Sequence, residues 1–174
     1  MLRWLCLTCL LLAGCLDVDF PRSEPSRGEL LQGRVIGVAD GDTLTLLDAQ
    51  LVEHRLRLAF VDAPEKAQAY GSAAKWQLSA EVYGREVRAE VVDVDRYGRG
   101  VARVWRGAED VNLALLRRGL AWHYTRYAED KQPGEDFDHY AAAERNARSQ
   151  GLGLWQGRQP LPPWQYRQRQ RAGH

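Results

Sequence analysis

Beyond its first fifteen positions the chain has no cysteine: Cys6, Cys9 and Cys15 are the full complement in 174 residues. The rest of the protein can form no internal disulfide, so packing must hold it even in an oxidising compartment. Long apolar runs are missing too. The one apolar stretch, Leu5 to Gly14 behind the single charge of Arg3, falls short of the roughly 20 residues that span a bilayer and reads as a secretion signal. Charge of one sign is not in excess, with 24 Lys and Arg against 23 Asp and Glu, and removing residues 1–14 takes away only Arg3. Such a balance excludes a protein that coats DNA through a large sequence-independent phosphate term and leaves room for a few placed charges. The four histidines, His54, His123, His139 and His174, show no paired spacing, and no thiolate pair lies outside the leader, which speaks against a zinc centre. No internal repeat or low-complexity block is present.

What is there begins with Leu12-Ala13-Gly14-Cys15, which resembles the lipobox of bacterial lipoproteins. The resemblance implies a signal peptide over 1–14 and lipidation of Cys15 as the first mature residue, tying the protein to a membrane. Leu16 after the cysteine leans towards the outer membrane over the inner one, by the same analogy. An ordinary signal peptide cut nearby is the alternative. Residues 15–32 read as a flexible tether, since Asp17 to Glu29 carries two prolines, two serines and no apolar period.

A single domain is expected over 33–156, with 45% hydrophobic residues and six tryptophans to fill its core. Apolar alternation predicts strands at Arg34 to Ala39, Thr43 to Asp48 and Arg55 to Val61, the first two joined by the turn Asp40-Gly41-Asp42. A helical period follows over Ser72 to Val82, with Ala74, Leu78 and Val82 on one face and a stop near Gly84. Two more strands, Glu86 to Asp95 and Val101 to Trp105, flank the glycine-containing turn Asp95 to Gly100. Asp110 caps a helix over Val111 to Arg118, and a last helix over Asp138 to Gln150 presents Tyr140, Ala143 and Ala147. Five short strands with helices after the third and fifth suit an α+β architecture, a five-stranded OB-type barrel capped by about three helices. After Gly151, Pro160, Pro162 and Pro163 are expected to forbid regular structure, leaving 157–174 as a loosely held tail rich in proline and arginine.

The chemistry-bearing residues gather around the third strand. Alternation puts Leu56, Leu58 and Phe60 on one face and Arg55, Arg57, Ala59 and Val61 on the other. Pro64 then turns the chain out of the sheet, so that Asp62 and Glu65 face a common space. Taken together and in this order, Asp40-Gly41-Asp42-Thr43, Arg57 to Glu65, and Asp95 to Gly100 resemble the signature segments of the thermonuclease, or staphylococcal nuclease-like, family. The similarity runs from about Gly33 to Trp155, including Val111-Asn112 and Leu115 to Ala121.

That resemblance implies an OB barrel that cleaves DNA and RNA with little sequence preference and leaves 3′-phosphate ends. It also implies that Asp42, Asp62 and the backbone carbonyl of Ala63 bind a calcium ion (Ca2+), a hard cation that takes oxygen ligands. Glu65 is implied as general base, and Arg57 and Arg99 as the guanidinium groups facing the phosphate. Family members often carry threonine where Ala63 stands, which leaves a backbone ligand intact. Thr43 beside Asp42 either orients water or simply suits a strand. Tyr97 is the candidate for base stacking. Tyr124 and Tyr127 either wall the nucleotide pocket or pack in the core. Arg167, Arg169 and Arg171, with Trp164 and Tyr166, either hold nucleic acid or are solvated tail charge. A monomer without an obligate protein partner is expected. The rival classes are an inert nucleic-acid or protein binding module and a structural envelope lipoprotein, and neither needs Asp42, Arg57, Asp62, Glu65 and Arg99 together.

Overall fold

A computed structural model describes residues 19–173, so Cys15 and the leader lie outside the described residues. In chain order the elements are β1 (Arg22–Ser23), β2 (Leu30–Val38), β3 (Thr43–Asp48), β4 (Glu53–Leu58), β5 (Val61–Asp62), α1 (Gly71–Val82), β6 (Glu86–Val94), β7 (Gly100–Arg106), β8 (Glu109–Asp110), α2 (Val111–Arg117), β9 (Trp122–His123), α3 (Thr125–Ala128), α4 (Gly134–Ser149), a 3-10 turn (Gly153–Gln156) and α5 (Pro163–Ala172).

Five strands close on themselves in the order β4-β3-β2-β6-β7, the last of which pairs back onto β4. All the ladders inside this barrel are antiparallel except the closing one, where Leu56, Arg57 and Leu58 run parallel to Gly100, Val101 and Ala102. Bulges between Val35 and Gly37 in β2 and between Val91 and Asp93 in β6 bend these long strands, the device by which a short sheet curls tightly enough to close. This is the expected OB-type α+β barrel. Its interior is filled by alternate residues of each strand, among them Val35, Leu44, Leu46, Leu56, Leu58, Val91 and Val104. Ala74, Leu78 and Val82, spaced by one helical turn, bury the inner face of α1 against this core.

Beyond Leu58 the alternation expected through Val61 fails. Phe60 has a positive φ of 64°, the chain turns over, and Ala59, Phe60 and Val61 are all buried. Its backbone is clamped on both sides. The Ala59 amide donates to the Ala102 carbonyl (2.7 Å), and buried Asn112 donates from Nδ2 to the carbonyls of Ala59 (3.0 Å) and Ala102 (3.1 Å) while accepting from the Val104 amide. Asn112 thus rivets α2 to the seam of the barrel, and β5 leaves it to pair with β9.

Two regions read as loose from the sequence are built into the molecule. Within the expected tether, β1 pairs in parallel with β4, Pro25 is buried, the Gly28 amide donates to Val91, and β2 begins at Leu30 rather than near Gly33. Local polarity hid these contacts because they are made by backbone groups. In the expected tail, Pro163 stands at the first helical position of α5. A missing N–H costs nothing there and the ring's fixed φ is already helical, so the prolines start a helix instead of preventing one. Trp164 fastens that helix to Trp122 (ring centroids 5.6 Å) and Tyr124 (5.5 Å). Among the described residues no helix is long and apolar enough to cross a membrane.

Candidate active site

The β2–β3 turn, the turn after β5 and the β6–β7 turn converge at one end of the barrel, around a cleft of about 560 Å3. Close packing of backbone sets this up. A Cβ on Gly41 would lie 2.7 Å from the Cβ of Ala74 and 2.8 Å from that of Ala63, and one on Gly71 would lie 2.1 Å from the Glu65 carbonyl. Only glycine lets the Asp40–Asp42 turn and the Glu65 turn seat this tightly against α1.

Arg57 points from β4 into the cleft and donates from one nitrogen to both Asp42 Oδ2 (3.2 Å) and Asp62 Oδ1 (2.7 Å). Asp42 Oδ2 also accepts the amide of Ala63 (3.2 Å), which fixes the post-β5 turn to the hairpin. Thr43 Oγ1 donates to Asp42 Oδ1 (3.1 Å) and accepts from Arg99 (3.1 Å), so Arg99 is joined to Asp42 through one hydroxyl. Arg99 is held in turn by Asp95, whose carboxylate takes its side chain (2.7 Å) and the amides of Tyr97 and Arg99. Asp42, Arg57, Asp62, Ala63, Glu65 and Arg99 therefore share one space, as the sequence pattern anticipated.

The electrostatics are those of crowded carboxylates in poor contact with water. Burial first, and Asp42 next, push the carboxyl of Asp40 above its ordinary range. Asp62 has no solvent exposure, and burial likewise pushes it up, with hydrogen bonding from Arg167 and the charge of Arg57 opposing the rise. Burial works against the charge on Arg57, but Asp42 and Asp62 outweigh it and keep the guanidinium ionised. These anions require cations beside them.

The tyrosines divide. Tyr97 is 65% exposed at the rim, with Arg96 and Arg99 over its ring (4.8 and 5.6 Å), and Tyr124 lines the wall. Tyr127 does not line the cleft: its ring sits beside Phe60 (6.0 Å) and its hydroxyl donates to Asp93 (3.1 Å), the core-packing alternative. Arg167, expected either to hold nucleic acid or to be solvated tail charge, is a principal member of the cleft instead. From α5 it donates to Asp62 Oδ1 (3.1 Å), Asp62 Oδ2 (2.8 Å) and Glu65 Oε1 (2.8 Å). Its only signal was the arginine and aromatic spacing of a segment assigned to a tail.

Asp42, Asp62 and the backbone at Ala63 offer oxygen alone, the donor type of a hard divalent ion. Because both carboxylates already reach a single cationic nitrogen, one cation can serve both. Among the described residues no three His, Cys, Asp or Glu side chains cluster as a metal cage, so an ion held here would complete its shell with backbone, water or substrate oxygen.

A closed OB barrel with carboxylates and arginines around its cleft suits a hydrolase of phosphodiester bonds, and similarity to known nucleases shows that class. Residues 55–157 match the family described as staphylococcal nuclease homologue. The chain belongs to that family. It is 38% identical over 138 residues to an uncharacterised endonuclease of Haemophilus influenzae, covering 79% of this chain and 74% of the relative. It is 36% identical over 155 residues to Protein ParB of Escherichia coli (83% of each chain) and 34% identical over 146 residues to the micrococcal nuclease of Shigella flexneri (78% and 80%).

Proposed function

We propose that this nuclease is a calcium-dependent endonuclease that hydrolyses DNA and RNA with little sequence preference and leaves 3′-phosphate ends. The observation that carries the reading is the bridging of Asp42 and Asp62 by one guanidinium nitrogen of Arg57, with Glu65 and Arg99 bordering the same cleft. A calcium ion held by Asp42, Asp62 and the Ala63 carbonyl would supply fixed positive charge against a phosphoryl oxygen.

Glu65 takes the proton of the attacking water, a role suited to a carboxylate at the open side of the cleft. Arg57 and Arg99 meet the charge that grows on the equatorial oxygens as the water attacks. Both are held by carboxylates before substrate arrives, so little reorganisation is needed during the step. Thr43 orients Arg99 relative to Asp42 through its hydroxyl. Tyr97 presents an exposed face on which a base stacks without being read, which accounts for loose specificity and favours single strands, while Tyr124, stacked on Trp164, walls the cleft. Lipid anchoring at Cys15, with the outer membrane favoured, is part of the same proposal and rests on the leader sequence alone; a diacylglyceryl group on Cys15 by mass spectrometry tests it.

The deciding experiment incubates the mature domain with single-stranded DNA and with RNA, in calcium or in chelator, beside Glu65→Gln. Cleavage that requires calcium, fails in the variant and leaves 3′-phosphate ends is expected. Cleavage that persists in chelator, or an undiminished Glu65→Gln, would overturn the assignment.

A further inference from the structure

A cation already sits on the proposed ion-binding and base carboxylates, and it comes from a part of the chain outside the family's matched residues, 55–157. Arg167 grips both oxygens of Asp62 and, through Nη1, Glu65 Oε1 as well. Planar two-pronged pairing of this kind is among the strongest contacts a carboxylate makes. The helix that carries it is positioned by Pro163 at its first turn and by Trp164 against Trp122 and the cleft-wall residue Tyr124. Gln68 adds a second tie, donating from Nε2 to the Leu161 carbonyl (3.1 Å) while accepting the Glu65 amide (2.8 Å). The helix and the Glu65 turn are therefore joined at two places.

We propose that Arg167 is a built-in rival of the divalent ion, and that loading the ion requires this guanidinium to let go of Asp62. Two consequences follow from the geometry. Both oxygens of Asp62 face guanidinium groups, so a divalent ion approaching Oδ2 meets the positive charge of Arg167 and must displace it. Glu65 Oε1 is engaged by the same guanidinium, so release of Arg167 would couple ion binding to freeing that oxygen for water. Without the ion, the pairing keeps buried Asp62 compensated and the cleft assembled.

The inference rests on the proposed role of Asp42 and Asp62 as ion ligands. Its test is calorimetric titration of calcium, supported by terbium luminescence, on the full mature domain and on Arg167→Met, Arg167→Gln and Arg171→Met. Arg171 lies on the same helix and borders the same cleft, but among the described residues it pairs with neither carboxylate. Removing Arg167 is expected to tighten the calcium Kd by about tenfold or more, and removing Arg171 by no more than about threefold, since only the first vacates ligand oxygens. Hydrogen exchange provides a readout independent of variants: amides of 164–172 in the wild type should exchange faster once calcium is added. Equal tightening in all three variants, weaker binding without Arg167, or unchanged exchange would overturn the proposal while leaving the nuclease reading intact. Failure of every protein, wild type included, to bind calcium would remove both.

Discussion

Two half-buried clusters of arginine and aspartate stand on different parts of this barrel, alike in composition and different in use. On β7, Arg103 pairs with Asp136 (2.7 Å) and Asp110 (3.4 Å). Asp110 also caps α2 through the Leu113 amide (2.9 Å) and accepts the hydroxyl of Tyr140 (2.8 Å). On β4, Arg57 pairs with Asp42 and Asp62. In the first cluster the fold supplies the carboxylates with a cap amide, a hydroxyl and a guanidinium, none of them bordering the cleft. In the second, Asp40, Asp42 and Glu65 line the cleft and Asp62 is buried behind it, with cations reaching in from separate elements. A cluster partnered from within the core holds structure together, even with Arg103 Nε left without an acceptor, whereas one whose charges can be re-partnered is able to admit an ion or a phosphate.

The largest effects should separate the two clusters cleanly. Arg57→Ala is expected to lower kcat/KM by about 10²-fold or more, because a preorganised donor to the transition state is lost. Arg103→Ala should leave turnover per folded molecule near wild type and cost about 2–3 kcal/mol in urea denaturation, since Asp110 and Asp136 lose their counter-charge. Comparable loss of turnover in both variants, at matched folded fraction, would break the comparison.

Much of the second cluster was legible from the sequence, through the resemblance of three short segments, taken together, to a known family. The Asp40–Asp42 turn, the Asp62–Glu65 exit and the Asp95–Gly100 turn each announce themselves by glycine, proline and aspartate, and the barrel's connectivity brings the three together. Strand limits for β3 and the helical face of α1 followed from alternation and period. Arg167 was not legible as a site residue, because its position depends on how α5 docks through Trp164, a contact between segments with no common local pattern. Asn112 and Pro25 escaped a role for the same reason. Tyr127 was ambiguous: within Ala-Trp-His-Tyr-Thr-Arg-Tyr nothing local says that only Tyr124 faces outward.

The two tyrosines sharpen the contrast at smaller magnitude. Tyr97→Ala removes an exposed face beside Arg96 and Arg99, and should raise KM for oligonucleotides several-fold, about 1 kcal/mol, with little change in kcat. Tyr127→Phe should leave KM unchanged and lower stability by about 1 kcal/mol, through loss of the hydroxyl's bond to Asp93. Equal KM changes would return Tyr127 to the substrate surface.

The smallest expected effect is a pH dependence, and it belongs to the structural side. His123 is buried, with Nε2 against Gln132 Oε1 (3.0 Å) and its ring beside Phe137 (4.7 Å). Burial holds its pKa below the ordinary 6.5, despite the hydrogen bond it donates to Gln132 and the charge of Glu144, which pull the other way. The unfolded chain therefore binds this proton more readily than the folded one. The contribution to stability is whole above pH 6.5 and is lost as pH falls below it towards the folded-state value. Urea midpoints measured between pH 7.5 and 5.5 should decline in the wild type, and the decline should flatten in His123→Leu whatever that variant's absolute stability. Among the described residues no histidine lines the cleft, and the raised carboxyls of Asp40 and Asp62 act in the opposite sense, taking up protons more readily in the folded chain, so a decline that persists undiminished in the variant would remove His123 as its source.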